Sequence, residues 1–365
     1  MDELKKARES INEIDIEMAK LFEKRMQAAS EIAQYKKEHG LPITDSKREA
    51  ELIEKNQTRV EDPVIREYYT QYLRAMFKVS KEYQKRLNCG ASIAYCGVPG
   101  AYAYLAASKL AGPDNLISYS SFKKAYDSVL DGECDGAVLP IENSYAGDVG
   151  AVMDLAFQGS LYISQVVELE ITHALLAKKG TKIEDVKVVW SHPQALSQCD
   201  EFIRSHSFMT VEHSNTAMAC KELVESNEEG VAVIASPENA EIYGLEILEK
   251  GINSAANNTT KFALFTRAYA KPAPDALVGE HFVLVFTVVN EAGSLAKALN
   301  IIGSHYFNMK NLRSRPMKEL MWNYYFFCEL EGNINTPDGE DMLLELKTIC
   351  DKVKVLGTYY SHKER

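Results

Sequence analysis

The chain has 365 residues, 46% of them hydrophobic and 25% charged, and 41 Lys+Arg against 52 Asp+Glu leave a formal charge of −11. That length predicts two or three domains of a soluble globular protein, and the acid excess excludes general affinity for nucleic acid or for an anionic membrane face. The longest apolar run, Phe282–Val289, is strand-sized, the start Met1-Asp2-Glu3-Leu4-Lys5-Lys6 lacks a signal peptide's apolar region, and seven cysteines without a CxxC pair predict reduced thiols in the cytoplasm rather than a disulfide framework or a thiolate zinc site.

The first 88 residues differ from the rest. They hold 18 Lys+Arg, 17 Asp+Glu, a single glycine (Gly40) and neither Cys nor Trp, a composition that reads as long helices. Residues 2–38 lack Gly and Pro, and apolar residues recur at Leu4, Ala7, Ile11, Ile14, Met18, Leu21, Ala28 and Ile32 in steps of three and four. This spacing predicts an amphipathic helix too long for an ordinary globule, ended by His39-Gly40-Leu41-Pro42. Asp45 or Ser46 caps a short second helix, with Glu49 completing a capping box. Asp62-Pro63 restarts the chain into a third helix, about 64–86. Three helices in 88 residues bury little alone, so an intertwined dimer is expected.

From Ser92 onward, strands alternate with helices. Ile93–Cys96, Ala137–Ile141, Val186–Trp190, Val231–Ala235 and Phe262–Thr266 read as strands, and Ala103–Leu110, Gln194–Ile203, Thr216–Glu225 and Asn239–Glu249 as helices. The expectation is an α/β domain with a largely parallel sheet, in two lobes like a solute-binding protein. Ala270–Pro274 reads as a linker. The last segment runs strand His281–Val288, helix Ser294–His305, strands Met309–Arg313 and Trp322–Leu330, helix Pro337–Lys352 and strand Val353–Tyr360, the ferredoxin-like βαββαβ order.

Charged residues on the first helix's apolar stripe break the pattern. Arg25 lies four after Leu21 and three before Ala28. At about 100° per residue, Lys36 falls within roughly 20° of Arg25, and Arg8 points about 100° away. Ser80 and Gln84 lie on the third helix's stripe with Tyr69, Tyr72, Met76, Tyr83 and Leu87. Cations aimed at a core need a counter-charge. Asp15, Asp45 or Glu49 would supply one internally; a small anion bearing carboxylates would supply one from outside.

With Arg8-Glu9-Ser10-Ile11, Asp45-Ser46-Lys47-Arg48-Glu49 and these stripe residues, the segment 1–88 resembles the all-helical chorismate mutase domain. The resemblance implies one pocket of Arg25, Lys36, Asp45, Arg48, Glu49, Ser80 and Gln84, completed by Arg8 of a second protomer. Arginine forks suit a dianion, and Lys36 and Gln84 would face the ether oxygen of chorismate.

Four strand-to-helix junctions carry capping residues: Pro140–Ser144, Ser191–Gln194, Ser214–Thr216 and Ala235–Glu238. Together they line the carboxyl ends of strands, where α/β sheets bind ligands, while Gly97-Val98-Pro99-Gly100 is no dinucleotide fingerprint. The runs Ala94–Tyr102, Pro140-Ile141-Glu142-Asn143-Ser144, Ser191-His192-Pro193-Gln194-Ala195-Leu196-Ser197-Gln198-Cys199, Tyr243-Gly244-Leu245 and Asn258-Thr259-Thr260-Lys261-Phe262 make residues 91–270 resemble prephenate dehydratase. The resemblance implies Thr260 as proton donor and Glu142, Asn143, Ser191, Gln198 and Lys261 around the substrate, with no cofactor and no metal. Lys261 stands where the family has arginine, and Ala103 where it has Ser or Thr. His192, before a proline at a helix start, reads as a cap rather than an acid.

Glu291-Ala292-Gly293-Ser294-Leu295-Ala296 and Asn311-Leu312-Arg313-Ser314-Arg315-Pro316 make 280–365 resemble the amino-acid-binding ACT domain. The resemblance implies phenylalanine as an allosteric ligand near Gly293, Ser294, Leu295, Arg313, Ser314 and Arg315. Arg313 replaces the family's acidic residue. The three resemblances in series imply a bifunctional chorismate mutase/prephenate dehydratase acting on chorismate and prephenate as a homodimer or higher homo-oligomer. Two rivals are a non-enzymatic sensor and a dehydratase preferring arogenate.

Overall fold

The computed structural model describes residues 2–254, 258–269, 280–317 and 323–360; the linker expected at Ala270–Pro274 and the strand start expected at Trp322 lie outside them. The chain forms two compact units, Met1–Ser92 and Ile93–Arg365. The residues expected as a third domain fall within the second unit.

The first unit is three helices: α1 (Asp2–Glu38), α2 (Ser46–Gln57) and α3 (Pro63–Cys89). At 1.5 Å per residue α1 is about 55 Å long. Asp45 caps α2 by accepting from Arg48 N, and Asp62 caps α3, with Pro63 in its first turn. Among the described residues of this unit only Ala29, Ala33 and Leu73 are buried apolar residues, while Leu4, Ile11, Ile14, Met18, Leu21 and Ile32 of the α1 stripe stay exposed. The described residues of the three helices therefore leave the stripe uncovered.

The second unit opens with β1 (Ile93–Cys96), α4 (Tyr102–Ala111), β2 (Leu116–Tyr119), α5 (Phe122–Leu130), β3 (Gly136–Asn143), β4 (Gly147–Asp148), α6 (Gly150–Gln158) and β5 (Tyr162–Glu170). A second lobe follows: β6 (Ala174–Ala177), β7 (Val188–Ser191), α7 (Pro193–Gln198), α8 (Asp200–Ser205), β8 (Met209–Glu212), α9 (Thr216–Glu225), β9 (Val231–Ala235), α10 (Asn239–Tyr243) and β10 (Glu246–Lys250). The chain returns to the first lobe through β11 (Thr259–Thr266). The sheet is mixed, not largely parallel. β1 runs parallel to β2 and β3, but β11, the returning strand, is antiparallel to both β3 and β5. In the second lobe β7 is parallel to β8 and β9, while β6 is antiparallel to β9 and β10. The helix expected over Asn239–Glu249 stops at Tyr243, because Gly244 takes the left-handed conformation, and β10 follows. The one expected over Gln194–Ile203 breaks at Cys199 into α7 and α8.

The C-terminal segment is β12 (Glu280–Val288), α11 (Ser294–Ser304), β13 (Asn308–Pro316), β14 (Tyr324–Glu331), α12 (Pro337–Ile349) and β15 (Cys350–Tyr360). The strand order β13-β14-β12-β15, all neighbours antiparallel, is the ferredoxin-like one, and β15 continues onto β5. β12 is buried on both faces, which is why its central residues Phe282–Phe286 are all apolar. Phe282, Leu284 and Phe286 pack beneath α11 and α12. Val283 and Val285 join Tyr325, Phe327 and Tyr359 in the core of the first lobe, where Phe157 of α6 stacks on Tyr325 at 4.2 Å. One core thus spans the first lobe and the C-terminal sheet.

Gly357 is the residue of β15 registered with Ile163 of β5, and a Cβ there would fall on the Ile163 carbonyl. Gly357→Val is expected to cost about 1–3 kcal/mol by overpacking, read as a lower urea midpoint; an unchanged midpoint would show that the two sheets are not joined at this point.

Candidate active sites

The helical unit brings several expected polar residues together. Arg25 Nη1 donates to Ser80 Oγ, and its guanidinium lies 5.7 Å from the Phe77 ring centroid. Ser80 donates to Met76 O one turn back at 2.9 Å. Gln84 is buried, and its Oε1 has no hydrogen-bond partner among the described residues. Lys36 Nζ donates to Ile43 O at 2.6 Å. Asp45 is occupied as the α2 cap. Arg25 does not pair with Asp15, Asp45 or Glu49; among the described residues Arg25, Lys36 and Arg48 have no carboxylate partner. Glu49 instead meets Lys81 at 3.0 Å, linking α2 to α3. Lys81 escaped the sequence reading because it lies off the stripe, one residue past Ser80. Arg8 is exposed and about 26 Å of helix away from Arg25, so one chain does not bring it to the others.

The second unit contains a cavity of about 350 Å³ between its lobes. Thr260 and Phe262 of β11, Pro140 and Asn143 of β3, His173 and Gln198 line it, and so do the starts of α4, α7 and α9 at Ala101–Ala103, Gln194 and Ser214–Thr216. Three helix N-termini facing one cavity favour an anion.

Asn143 is the hinge of the polar arrangement. Its Oδ1 accepts from the backbone N–H groups of Tyr145 (3.0 Å) and Ala146 (2.7 Å). That fixes the amide, so Nδ2 faces Thr260 Oγ1 and Asn258 Oδ1, each at 2.8 Å. Thr260 thus accepts through its oxygen, a bond that does not use its own proton, and its side chain lines the cavity. Asn258 Nδ2 is buried without a partner among the described residues. Gln198 Oε1 lies 2.9 Å from His173 Nε2, and the Tyr102 hydroxyl sits 3.3 Å from Nδ1 while donating to Thr172 O at 2.8 Å. Asn258, His173 and Tyr102 were missed as site residues; Asn258 and Tyr102 stand inside quoted motifs, but nothing local marks His173.

Three expected substrate contacts lie elsewhere. Ser191 is fully buried and donates to Ile234 O at 2.5 Å, tying β7 to β9. Glu142 and Lys261 alternate with Asn143 and Thr260 along their strands, so they emerge on the opposite face of the sheet. There Lys261 Nζ reaches Glu142 (3.7 Å), Glu168 (3.9 Å) and Glu329 (3.4 Å). His192 serves as the α7 cap, its Nδ1 accepting from Gln194 N at 3.2 Å. Burial raises the Cys96 thiol and pushes Cys199 up to about 12, so neither is a ready thiolate. Among the described residues no group of three or more His, Cys, Asp or Glu could hold a metal ion.

The two motifs expected to share a ligand part company. Gly293, at φ +84, starts α11, with Ser294 and Leu295 in its first turn on the helical face of the C-terminal sheet. Arg313 and Arg315 point from the other face: Arg313 to Glu142 and Asp148, Arg315 to Asp154 at 3.1 Å. Ser314, between them, is exposed.

Comparison with known proteins supplies the context. The family model for prephenate dehydratase matches residues 93–270, and that for chorismate mutase type II matches 7–85. The bifunctional chorismate mutase/prephenate dehydratase of Buchnera aphidicola subsp. Acyrthosiphon pisum is 32% identical over 98% of this chain and 96% of its own length. Among solved structures, the quorum quenching acylase GqqA is 30% identical with a TM-score of 0.69, covering 74% of this chain and 98% of its own. The prephenate dehydratase of Arthrobacter aurescens in complex with L-Phe is 26% identical with the same TM-score of 0.69, covering 75% and 91%.

Burial holds the pKa of His173 below its ordinary 6.5, against the Gln198 hydrogen bond, which acts the other way. On acidification the unfolded ring takes its proton first. Stability from this group is therefore complete above about 6.5, falls as pH drops, and levels out below the folded-state pKa. Denaturant titrations at pH 7.5 and 5.5 are expected to show a smaller acid loss in His173→Asn than in the parent; equal losses would place the ring's pKa at its ordinary value.

Proposed function

The chain belongs to the bifunctional chorismate mutase/prephenate dehydratase family, and we propose that it works through two separate sites, one in each compact unit. It rearranges chorismate to prephenate, then removes water and carbon dioxide to give phenylpyruvate, on the route to phenylalanine and under feedback by phenylalanine. The observation that carries the two-site reading is the location of the polar groups: Arg25 and Lys36, without carboxylate partners among the described residues of the helical unit, and the Thr260–Asn143 pair in the cavity of the other.

The rearrangement needs no nucleophile and no proton transfer. It needs a folded conformer of the dianion and positive charge beside the breaking ether bond. Arg25, preset by Ser80 and Phe77, and Arg48 take carboxylates; Lys36 and the Gln84 amide face the ether oxygen. Arg8 comes from a second protomer, whose α1 stripe covers the exposed stripe of the first. A homodimer is thus the smallest complete mutase.

In the dehydratase, aromatisation drives the loss of carboxylate and hydroxide. The chain must hold two carboxylates and protonate the leaving hydroxyl. The helix N-termini and Asn258 Nδ2 hold the anion. Thr260 donates the proton, its oxygen polarised by the Asn143 N–H it accepts. The Gln198 amide, steadied by His173, lines the same cavity. The C-terminal βαββαβ segment is an ACT domain, and its α11 start at Gly293–Leu295 is the phenylalanine-facing element. The acylase activity in GqqA's description has less support here, because the Tyr102 hydroxyl beside His173 Nδ1 gives its proton to Thr172 O, and no serine, threonine or cysteine of the cavity is bonded to an imidazole among the described residues. A cytoplasmic location accords with five buried cysteine thiols.

Arg25→Ala is expected to cut chorismate turnover by about a hundredfold or more while sparing prephenate turnover, and Thr260→Ala to do the reverse. Loss of both activities from either folded variant would defeat the two-site reading. Ile14→Asp with Leu21→Asp is expected to yield monomers by sedimentation and to abolish the mutase; a dimeric, active double variant would remove the shared-site model. Parallel assays with prephenate and arogenate decide the preferred substrate.

A further inference from the structure

Glu142 of β3 and Asp148 of β4 are direct register partners across a two-stranded hairpin. Like charges facing each other across antiparallel strands push the strands apart. The hairpin closes through Tyr145 and Ala146, whose amides hold Asn143 Oδ1 and so aim its Nδ2 at Thr260. The guanidinium of Arg313, from β13 of the C-terminal segment, contacts both carboxylates, one through each terminal nitrogen. Its Nε donates to Asn311 Oδ1 at 3.0 Å, which fixes the fork. Lys261 approaches Glu142 but is shared with Glu168 and Glu329, so it does not neutralise the pair.

We propose that Arg313 is a positioning residue for the dehydratase: by bridging Glu142 and Asp148 it clamps the β3–β4 hairpin and thereby sets the Asn143–Thr260 hydrogen bond on the far face of the same strand. The arginine that replaces the acidic residue expected of an ACT domain is a strut between that segment and the reaction site, not a contact to the amino-acid ligand. An acidic residue at 313 would put a third carboxylate beside the pair. The inference deepens the dehydratase reading and rests on the assignment of Asn143 and Thr260 to that site.

The test uses the full-length protein with four variants, assayed separately for chorismate and prephenate turnover. Arg313→Met is expected to lower dehydratase kcat about tenfold to a hundredfold through misplacement of the hairpin, with KM and mutase turnover nearly unchanged. Arg313→Lys keeps the charge without the fork and is expected to fall between. Adding Asp148→Asn to Arg313→Met removes the repulsion and is expected to recover part of kcat, which a general stabilising role for Arg313 would not produce. Unchanged kcat in Arg313→Met, a loss that only follows the unfolded fraction, or no recovery on adding Asp148→Asn would each overturn the proposal. Thr260→Ala separates the two claims: if it keeps prephenate turnover the site assignment fails, and if it loses turnover while Arg313→Met keeps it, only the role of Arg313 fails.

Discussion

A charge withdrawn from water must meet its opposite, and where this chain supplies that opposite decides what each part of it does. In the helical unit Arg25 meets a serine hydroxyl and an aromatic face, and Lys36 meets a backbone carbonyl. Among the described residues no carboxylate completes either. In the proposed mutase the counter-charge is the substrate's, and a dianion would supply it. In the second unit the same rule is satisfied internally: Arg313, Arg315 and Lys261 all find carboxylates of the chain, and these pairs bind the C-terminal sheet to the first lobe. The first kind of cation is left for a ligand in the proposed function, and the second kind holds a scaffold.

The scaffold works because strands have two sides. β3 and β11 present Asn143 and Thr260 to the cavity, and Glu142 and Lys261 to the C-terminal segment. One layer of backbone thus separates the cavity from the C-terminal segment. The shared core, with Phe157 stacked on Tyr325, keeps that layer from sliding. The proposed strut joins β13 to the β3–β4 hairpin, whose amides hold Asn143 against Thr260.

Much of this is legible in the sequence, and what is not has physical reasons. Helix α9 lies where its spacing and its Asn215 cap predict, because both signals are local. The βαββαβ order is equally readable. The single helix expected over Asn239–Glu249 fails on one residue, Gly244, whose left-handed turn frees the following strand. Glu142 and Lys261 read as substrate contacts because a motif is a continuous run of residues, while a strand sends neighbours to opposite faces. The mixed sheet depends on β11 returning from the other lobe, which no window along the chain contains. Arg313 and Glu142 stand 171 residues apart, so neither predicts the other. His173 carries no pattern of its own; only the fold sets it between Tyr102 and Gln198.

The central claim is that one chain carries out two reactions in sequence at two places, the second under control from the C-terminal segment. A time course on chorismate alone, with prephenate and phenylpyruvate both quantified, tests it most directly when run with and without phenylalanine. Prephenate should rise and then give way to phenylpyruvate, and phenylalanine should leave prephenate standing while chorismate continues to disappear. Chorismate left unconsumed, or phenylalanine slowing the first step and not the second, would contradict the account.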